Sequence, residues 1–235
     1  RYYEGTLSGQ LWSGSPIGLL ISGKKVDADS YYFSGLKETA GGLNKSIEYS
    51  KAKPFGFNDL LSAVGKLSWS PFGSAKLTLL DNYSKRRSRS YSHSMRFIPD
   101  STYINSSESN LLGLNFRHAV TNDLFYEIRL SSYRYSFTQA VDGRSPSQYS
   151  RALFTTFSNS LFYQNMSQSA YEDQTTKAYA LKGDMTWQLN RLNLLKAGIE
   201  LKANDLDYYY NSNPVNPTDQ VINLYRKKPL EGAGY

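Results

Sequence analysis

The chain has 235 residues, of which 40% are hydrophobic, with a mean hydropathy of −0.54, a formal charge of +7 and no cysteine. No stretch approaches the ~18 consecutive apolar residues of a transmembrane helix, and disulfides, thiolate metal sites and cysteine nucleophiles are excluded together. A β-type span, which takes only ~9–11 alternating residues, is not excluded.

Strands with two unlike faces alternate with period two, and the first such hairpin lies near residues 2–26. Tyr3, Gly5, Leu7, Gly9 and Leu11 share one face, residues 13–16 (Ser-Gly-Ser-Pro) make the corner, and Leu19 and Ile21 return. A long connection follows, from Asp27 to Asn58. Its Tyr31, Tyr32 and Phe33 are candidate ligand contacts, because aromatic rings offer large rigid surfaces for stacking on a sugar or a siderophore. Asp27 and Asp29, and later Asp205 and Asp207, have spacing compatible with calcium, but lacking the glycine and distal glutamate of an EF-hand loop they read as solvated carboxylates.

The second hairpin lies near 59–84, with Leu61, Ala63, Gly65, Leu67 and Trp69, a corner at Ser70-Pro71-Phe72-Gly73, and Ala75, Leu77 and Leu79. Lys85, Arg86, Arg87 and Arg89 then open the next connection. No nucleic-acid module surrounds this run, so it reads as a solvated loop and nucleic acid is not an expected partner.

The third hairpin, near 109–138, sets Leu112, Leu114 and Phe116 and then Leu124, Tyr126, Ile128 and Leu130 against polar neighbours. Beyond Leu130 the apolar residues move to odd positions (Tyr133, Tyr135, Phe137), which predicts a bulge or an exit from lipid. The fourth, near 176–210, has Tyr179, Leu181, Met185, Trp187, Leu195, Ile199 and Leu201 on one face and Lys182, Asp184, Lys196, Glu200 and Lys202 on the other. A lysine on a lipid-exposed face near mid-bilayer costs ~2–4 kcal/mol. Lys182, Lys196 and Lys202 together would cost on the order of 6–12 kcal/mol if all lay at depth, so the charged face is expected to line water and the other to meet acyl chains. Glu127 with Arg129, and Lys182 with Asp184, are expected to pair across strands on the wet face. Trp69, Trp187, Tyr133, Tyr135, Tyr179 and the triplet Tyr208, Tyr209 and Tyr210 fall near strand ends, as interfacial girdles require. The triplet is also a candidate ligand contact.

Short corners and long connections alternate strictly, so all short turns fall at one end of the sheet and all long loops at the other, as in outer-membrane barrels. The strands also exceed the ~5–6 residues usual in soluble sheets. The expected fold is therefore all-β, an antiparallel transmembrane β-barrel. A soluble β-rich binding module, with the leucine face as its core, is the alternative that period two alone leaves open.

The stretch AYALKGDMTWQLNRLNLLKAGIELKANDLDYY, within residues 177–210, resembles the barrel of TonB-dependent outer-membrane receptors, particularly the Bacteroidota group with a carboxypeptidase-regulatory-like N-terminal domain. LLGLNFRHAVTNDLFYEIRLSSYRYSF resembles another such hairpin, and YYEGTLSGQL a strand that follows the plug. The resemblance implies a bacterial outer-membrane location and uptake of a scarce ligand (a siderophore, vitamin, glycan or peptide) driven by the TonB complex through a plug not present in this chain. It also implies contact with outer-membrane lipid, including lipopolysaccharide, whose phosphates make Lys85, Arg86, Arg87 and Arg89 candidate contacts. Such barrels have about 22 strands, against eight here with a ninth starting near Ile222, so an internal slice of a larger receptor is expected. The end, Pro229 to Tyr235, lacks the alternation of a terminal barrel strand. A small passive outer-membrane barrel or surface-binding protein is the second alternative. His93 and His118 have no zinc spacing, no hydrolase or phosphate-loop motif occurs, and neither catalysis nor a cofactor is expected.

Overall fold

The computed structural model describes residues 1–34, 53–95, 98–149, 169–216, 218 and 220–235. Its strands are β1 (Tyr2–Gln10), β2 (Ile17–Asp29), β3 (Phe33–Ser34), β4 (Lys53–Pro54), β5 (Phe57–Phe72), β6 (Ala75–Arg89), β7 (Tyr103–Ala119), β8 (Leu124–Val141), β9 (Tyr171–Gln188), β10 (Leu194–Asn211), β11 (Ile222–Lys227) and β12 (Leu230–Gly234). All but the β3–β4 pair form one antiparallel sheet of ten strands among the described residues, in chain order from β1 to β11, with β12 pairing β10 beyond β11. The sheet is open, because β1 pairs only with β2.

The register turns each strand's alternation into a continuous surface. Leu19, Leu67, Leu79, Leu114, Leu130, Leu181 and Leu201 are direct cross-strand partners from β2 to β10, a leucine stripe across seven strands. Beside it run Trp69, Leu77, Phe116 and Ile128. Every lysine of the last hairpin between Lys182 and Lys202 has the opposite parity, as the desolvation cost requires. The short turns recede along this stripe: Ile17 begins β2 two residues from Leu19, Ala75 begins β6 four from Leu79, Leu124 begins β8 six from Leu130, and Leu194 begins β10 seven from Leu201. A steady stagger of this kind is the shear of strands tilted in a barrel wall.

Two expectations are corrected. No bulge follows Leu130: β8 keeps one register with β7 and β9 throughout, and Tyr133, Tyr135 and Phe137 simply project from the polar face. A register shift occurs instead at Trp69 to Phe72, beside the β5–β6 turn. The end of the chain, for its part, is a strand. β11 and β12 both pair with β10, and Lys227 opposite Leu206 and Leu230 opposite Ala203 belong to one unbroken register. The ladder is interrupted at Pro229, whose carbonyl accepts from the Asn204 N–H at 3.0 Å but which has no N–H to return.

Buried apolar side chains are few: Phe55, Ala75, Met95, Ile104, Ala140 and Val141 among the described residues. None belongs to the leucine stripe, of which Leu67, Leu79, Leu130, Leu181 and Leu201 are each roughly two-fifths exposed, for example Leu130 at 46%.

Candidate functional site

The polar face of β7–β10 carries a charge lattice. Arg129 grips Glu127 with two hydrogen bonds, at 3.0 and 2.6 Å, along its own strand. Lys182 lies 3.9 Å from Asp184 on the same strand and 3.7 Å from Glu200 across it, and Lys202 is 2.7 Å from Glu200. The Glu127–Arg129 and Lys182–Asp184 pairs thus run along single strands and not across strands as expected, because residues two apart share a face of one strand; Glu200 makes the cross-strand contact. The Tyr235 hydroxyl donates to Asp184, and the Lys182 ammonium sits 5.6 Å from the Tyr235 ring centre. The ring lies over Gly198, where any Cβ would overlap its outer edge, so the ring keeps this seat only above a glycine. Such a surface, with both signs present and largely paired, suits the lining of an aqueous passage.

At the long-connection end the basic run continues β6 instead of starting a loop, and alternation divides it between faces. Lys85 approaches Glu108 at 3.8 Å, and the Arg86 Nε donates to Asn58 at 2.7 Å. Arg87 lies 5.3 Å from the Phe57 ring centre. The Arg89 side chain is only 10% exposed; it donates to Asp142 and lies 3.6 Å from Asp100. Asp142 and Gly143 turn the chain with positive φ (50° and 71°) and set the carboxylate in that position. Arg89 is therefore a structural clasp between the ends of two connections.

The tyrosine candidates are not brought together. Tyr31 is 96% exposed and Tyr32 stacks on Tyr91 with ring centres 4.2 Å apart. Phe33 begins β3, and its side chain lies outside the described residues. Tyr208, Tyr209 and Tyr210 stand on β10, with Tyr208 and Tyr210 on the polar-face parity and Tyr209 on the other, near Tyr171 at 6.1 Å between ring centres. Six strand spacings of ~4.8 Å, about 29 Å along the wall, separate them from the end of β2. Nor do they serve as a girdle. They lie nine to eleven residues beyond Ile199, the middle of the apolar run on β10, hence about 23–28 Å above it at a ~40° tilt, well outside a band ~25 Å tall. Trp69, Trp187 and Tyr179 do occupy the ends of the apolar face, whereas Tyr133 and Tyr135 are on the polar one.

Other tyrosines fasten the rim. The Tyr149 hydroxyl accepts from the Val141 N–H at 2.9 Å, and the Tyr103 hydroxyl accepts from the Ala170 N–H at 3.0 Å; burial raises the pKa of both. The acidic candidates lie on strands and not in loops, and three of the four form ion pairs: Asp27 is 3.2 Å from Lys25, Asp205 3.4 Å from Lys228 and Asp207 2.7 Å from Arg226, while Asp29 ends β2. The His93 ring bonds Tyr91 at 3.0 Å, and His118 sits among Phe72, Phe116 and Tyr126 at the short-turn end. No cluster of three metal-ligating side chains occurs among the described residues. The Arg89 clasp and the Tyr235 seat were not foreseen from sequence. The final aromatic was visible, but not its partner glycine 37 positions upstream.

An open, staggered, two-faced sheet with all short turns at one end has the architecture of an outer-membrane barrel wall. Solved structures agree. Over 99% of its length the chain superposes on the outer membrane transporter YddB from Escherichia coli, with a TM-score of 0.60 and 13% identity, covering 30% of that chain. Over 93% of its length it superposes on the ferric yersiniabactin uptake receptor FyuA from Yersinia pestis, with a TM-score of 0.51 and 12% identity, covering 31% of that chain. At such identities the likeness is one of fold, and the chain spans under a third of either structure. No family model and no curated protein sequence matches the chain.

Proposed function

We propose that this chain is a wall segment of a TonB-dependent receptor of the bacterial outer membrane that takes up a scarce ligand. The observation that carries the reading is superposition of nearly the whole chain on an outer membrane transporter, joined to an apolar face that no described residue covers. By the sequence resemblance, a plug would couple the barrel to the TonB complex, and the Bacteroidota-type N-terminal domain would precede it. The imported solute, a siderophore, vitamin, glycan or peptide, would pass along the charged face and be met at the mouth by rim aromatics such as Tyr31 and Tyr208. The outer face would meet lipid, with Lys85 and Arg87 near lipopolysaccharide. A small passive barrel fits less well, since β1 and β11 are both free edges. A soluble module would need a cover for the leucine stripe.

The test is uptake in cells carrying the full-length protein, using panels of ferric siderophores, corrinoids, oligosaccharides and peptides. Energised import predicts accumulation of one class that stops when a protonophore collapses the proton gradient. Accumulation indifferent to the protonophore would sink the TonB-dependent reading, and recovery of the protein outside the outer-membrane fraction would sink the membrane reading as well.

A further inference from the structure

On the apolar-face side of the sheet, where the leucine surface gives out, a polar row crosses the strands: Tyr83, Asn110, Arg134 and Lys177. Arg134 and Lys177 are direct cross-strand partners. Like charges placed opposite one another destabilise an antiparallel pair, so an uncompensated arrangement of this kind calls for an anion. The described residues supply no free one. Among the described residues neither cation has a carboxylate partner, and the nearby acids are engaged elsewhere: Glu108 with Lys85 at 3.8 Å, Asp205 with Lys228 at 3.4 Å, and Asp81 accepting from Asn110 at 2.8 Å. The two cations open into a hollow of about 670 Å³, rimmed also by Tyr83, Ser136, Tyr179 and Glu108, whose carboxylate faces Lys85. That is the size of an ordinary small-molecule cleft.

Position selects the ligand. On β8 the apolar run centres on Ile128 and on β9 on Gly183, and Arg134 and Lys177 each lie six residues beyond. At ~3.3 Å per residue and a ~40° tilt this is about 15 Å above mid-membrane, just past the ~12 Å half-height of the apolar band. The hollow also opens on the side of the leucines, away from the charge lattice. A solute in transit would not meet it, but the headgroup of an outer-leaflet lipid would.

We infer that Arg134 and Lys177 form a binding site for the phosphate of a membrane glycolipid headgroup. The guanidinium fork engages two phosphate oxygens, the ammonium neutralises the remaining charge, and Ser136 and the tyrosine hydroxyls are within the same hollow for the sugar. The inference rests on the outer-membrane reading above, and it differs from contact by the basic run, whose members already have protein partners.

The experiment is lipid retention measured by native mass spectrometry. Full-length protein is reconstituted into phosphatidylcholine vesicles containing either bisphosphorylated lipid A or the same lipid stripped of phosphate, and compared with the Arg134→Gln/Lys177→Gln double variant. The wild type should retain the phosphorylated lipid at least about tenfold better than the stripped one, and the double variant should lose that preference, the scale of a charge-assisted bidentate contact. Millimolar inorganic phosphate should not displace the lipid. Equal retention of the two lipids by inserted wild type, or undiminished preference in the variant, overturns the site and leaves the membrane reading standing. Displacement by free phosphate overturns the lipid as its ligand. Failure of the wild type to insert overturns both.

Discussion

The two ends of the same strands are built on opposite principles. Toward the long connections the wall behaves as ordinary protein: Phe55, Met95, Ile104, Ala140 and Val141 are buried there, and Arg89 ties neighbouring segments together. Toward the short turns Ala75 is the one apolar side chain buried among the described residues, and leucines, isoleucines and tryptophans stand on the surface in register. One half carries its own small core, and the other relies on an apolar solvent. Neither β8 nor β9 shows a break in register where the change occurs. The boundary is written wholly in side chains.

The contrast can be broken most strongly at the leucine stripe. Leu130→Arg should cost ~2–4 kcal/mol, against ~0–1 kcal/mol for Thr138→Arg on the same face beyond the band. Urea unfolding of the protein in lipid vesicles measures both, and equal costs would mean that the two halves share one environment. Next in size, Arg89→Met should remove about 1–2 kcal/mol by taking away one of the two arginine partners of Asp142, which keeps Arg144 at 3.1 Å, with amide exchange quickening around Thr102 and Val141 but not around Leu181. A uniform change would show that the upper end is not held by its own contacts.

Gly198→Val should cost about 1–2 kcal/mol through overpacking, because a side chain there displaces the Tyr235 ring. Tyr235→Ala in that background should recover part of the loss, and strict additivity of the two would refute the ring seat. The smallest effect concerns Asp173, ten residues beyond Gly183 and outside the band. Burial and then the nearby Asp207 raise its pKa above the ordinary 3.8. A raised carboxylate contributes stability that is complete below the unfolded value and is lost as pH climbs through the folded one. The thermal midpoint should therefore fall slightly across that window, and Asp173→Asn should flatten the trend.

Much of the lower half was legible in the sequence, because lipid and water impose period two and the cost of a misplaced lysine fixes which face is which. The upper half was less so. Once a strand leaves the membrane, either face tolerates either kind of residue. Tyr133, Tyr135 and Phe137 then imitated a bulge, and Lys85 to Arg89 imitated a loop. The Arg89 clasp joins residues 53 positions apart, and local alternation carries no information about such pairing. The last strand was hidden because Gly232 and Gly234 take outward places beside Leu201 and Ile199, which erases the apolar rhythm. Arg134 and Lys177 read singly as unremarkable polar positions; only the register sets them face to face.

Pro229 leaves one amide missing from the seam between β10 and the final strand, and the carbonyl of Asn204 opposite it goes without that donor. Asn204 lies five residues past Ile199, about 13 Å above the midplane by the same geometry, where hydration first becomes available. A few residues deeper, an orphaned carbonyl in hydrocarbon would cost several kcal/mol; here a water molecule can take the vacant place. Proline thus marks how far down moisture penetrates the wall, and moving it to position 233 should prevent the seam from closing.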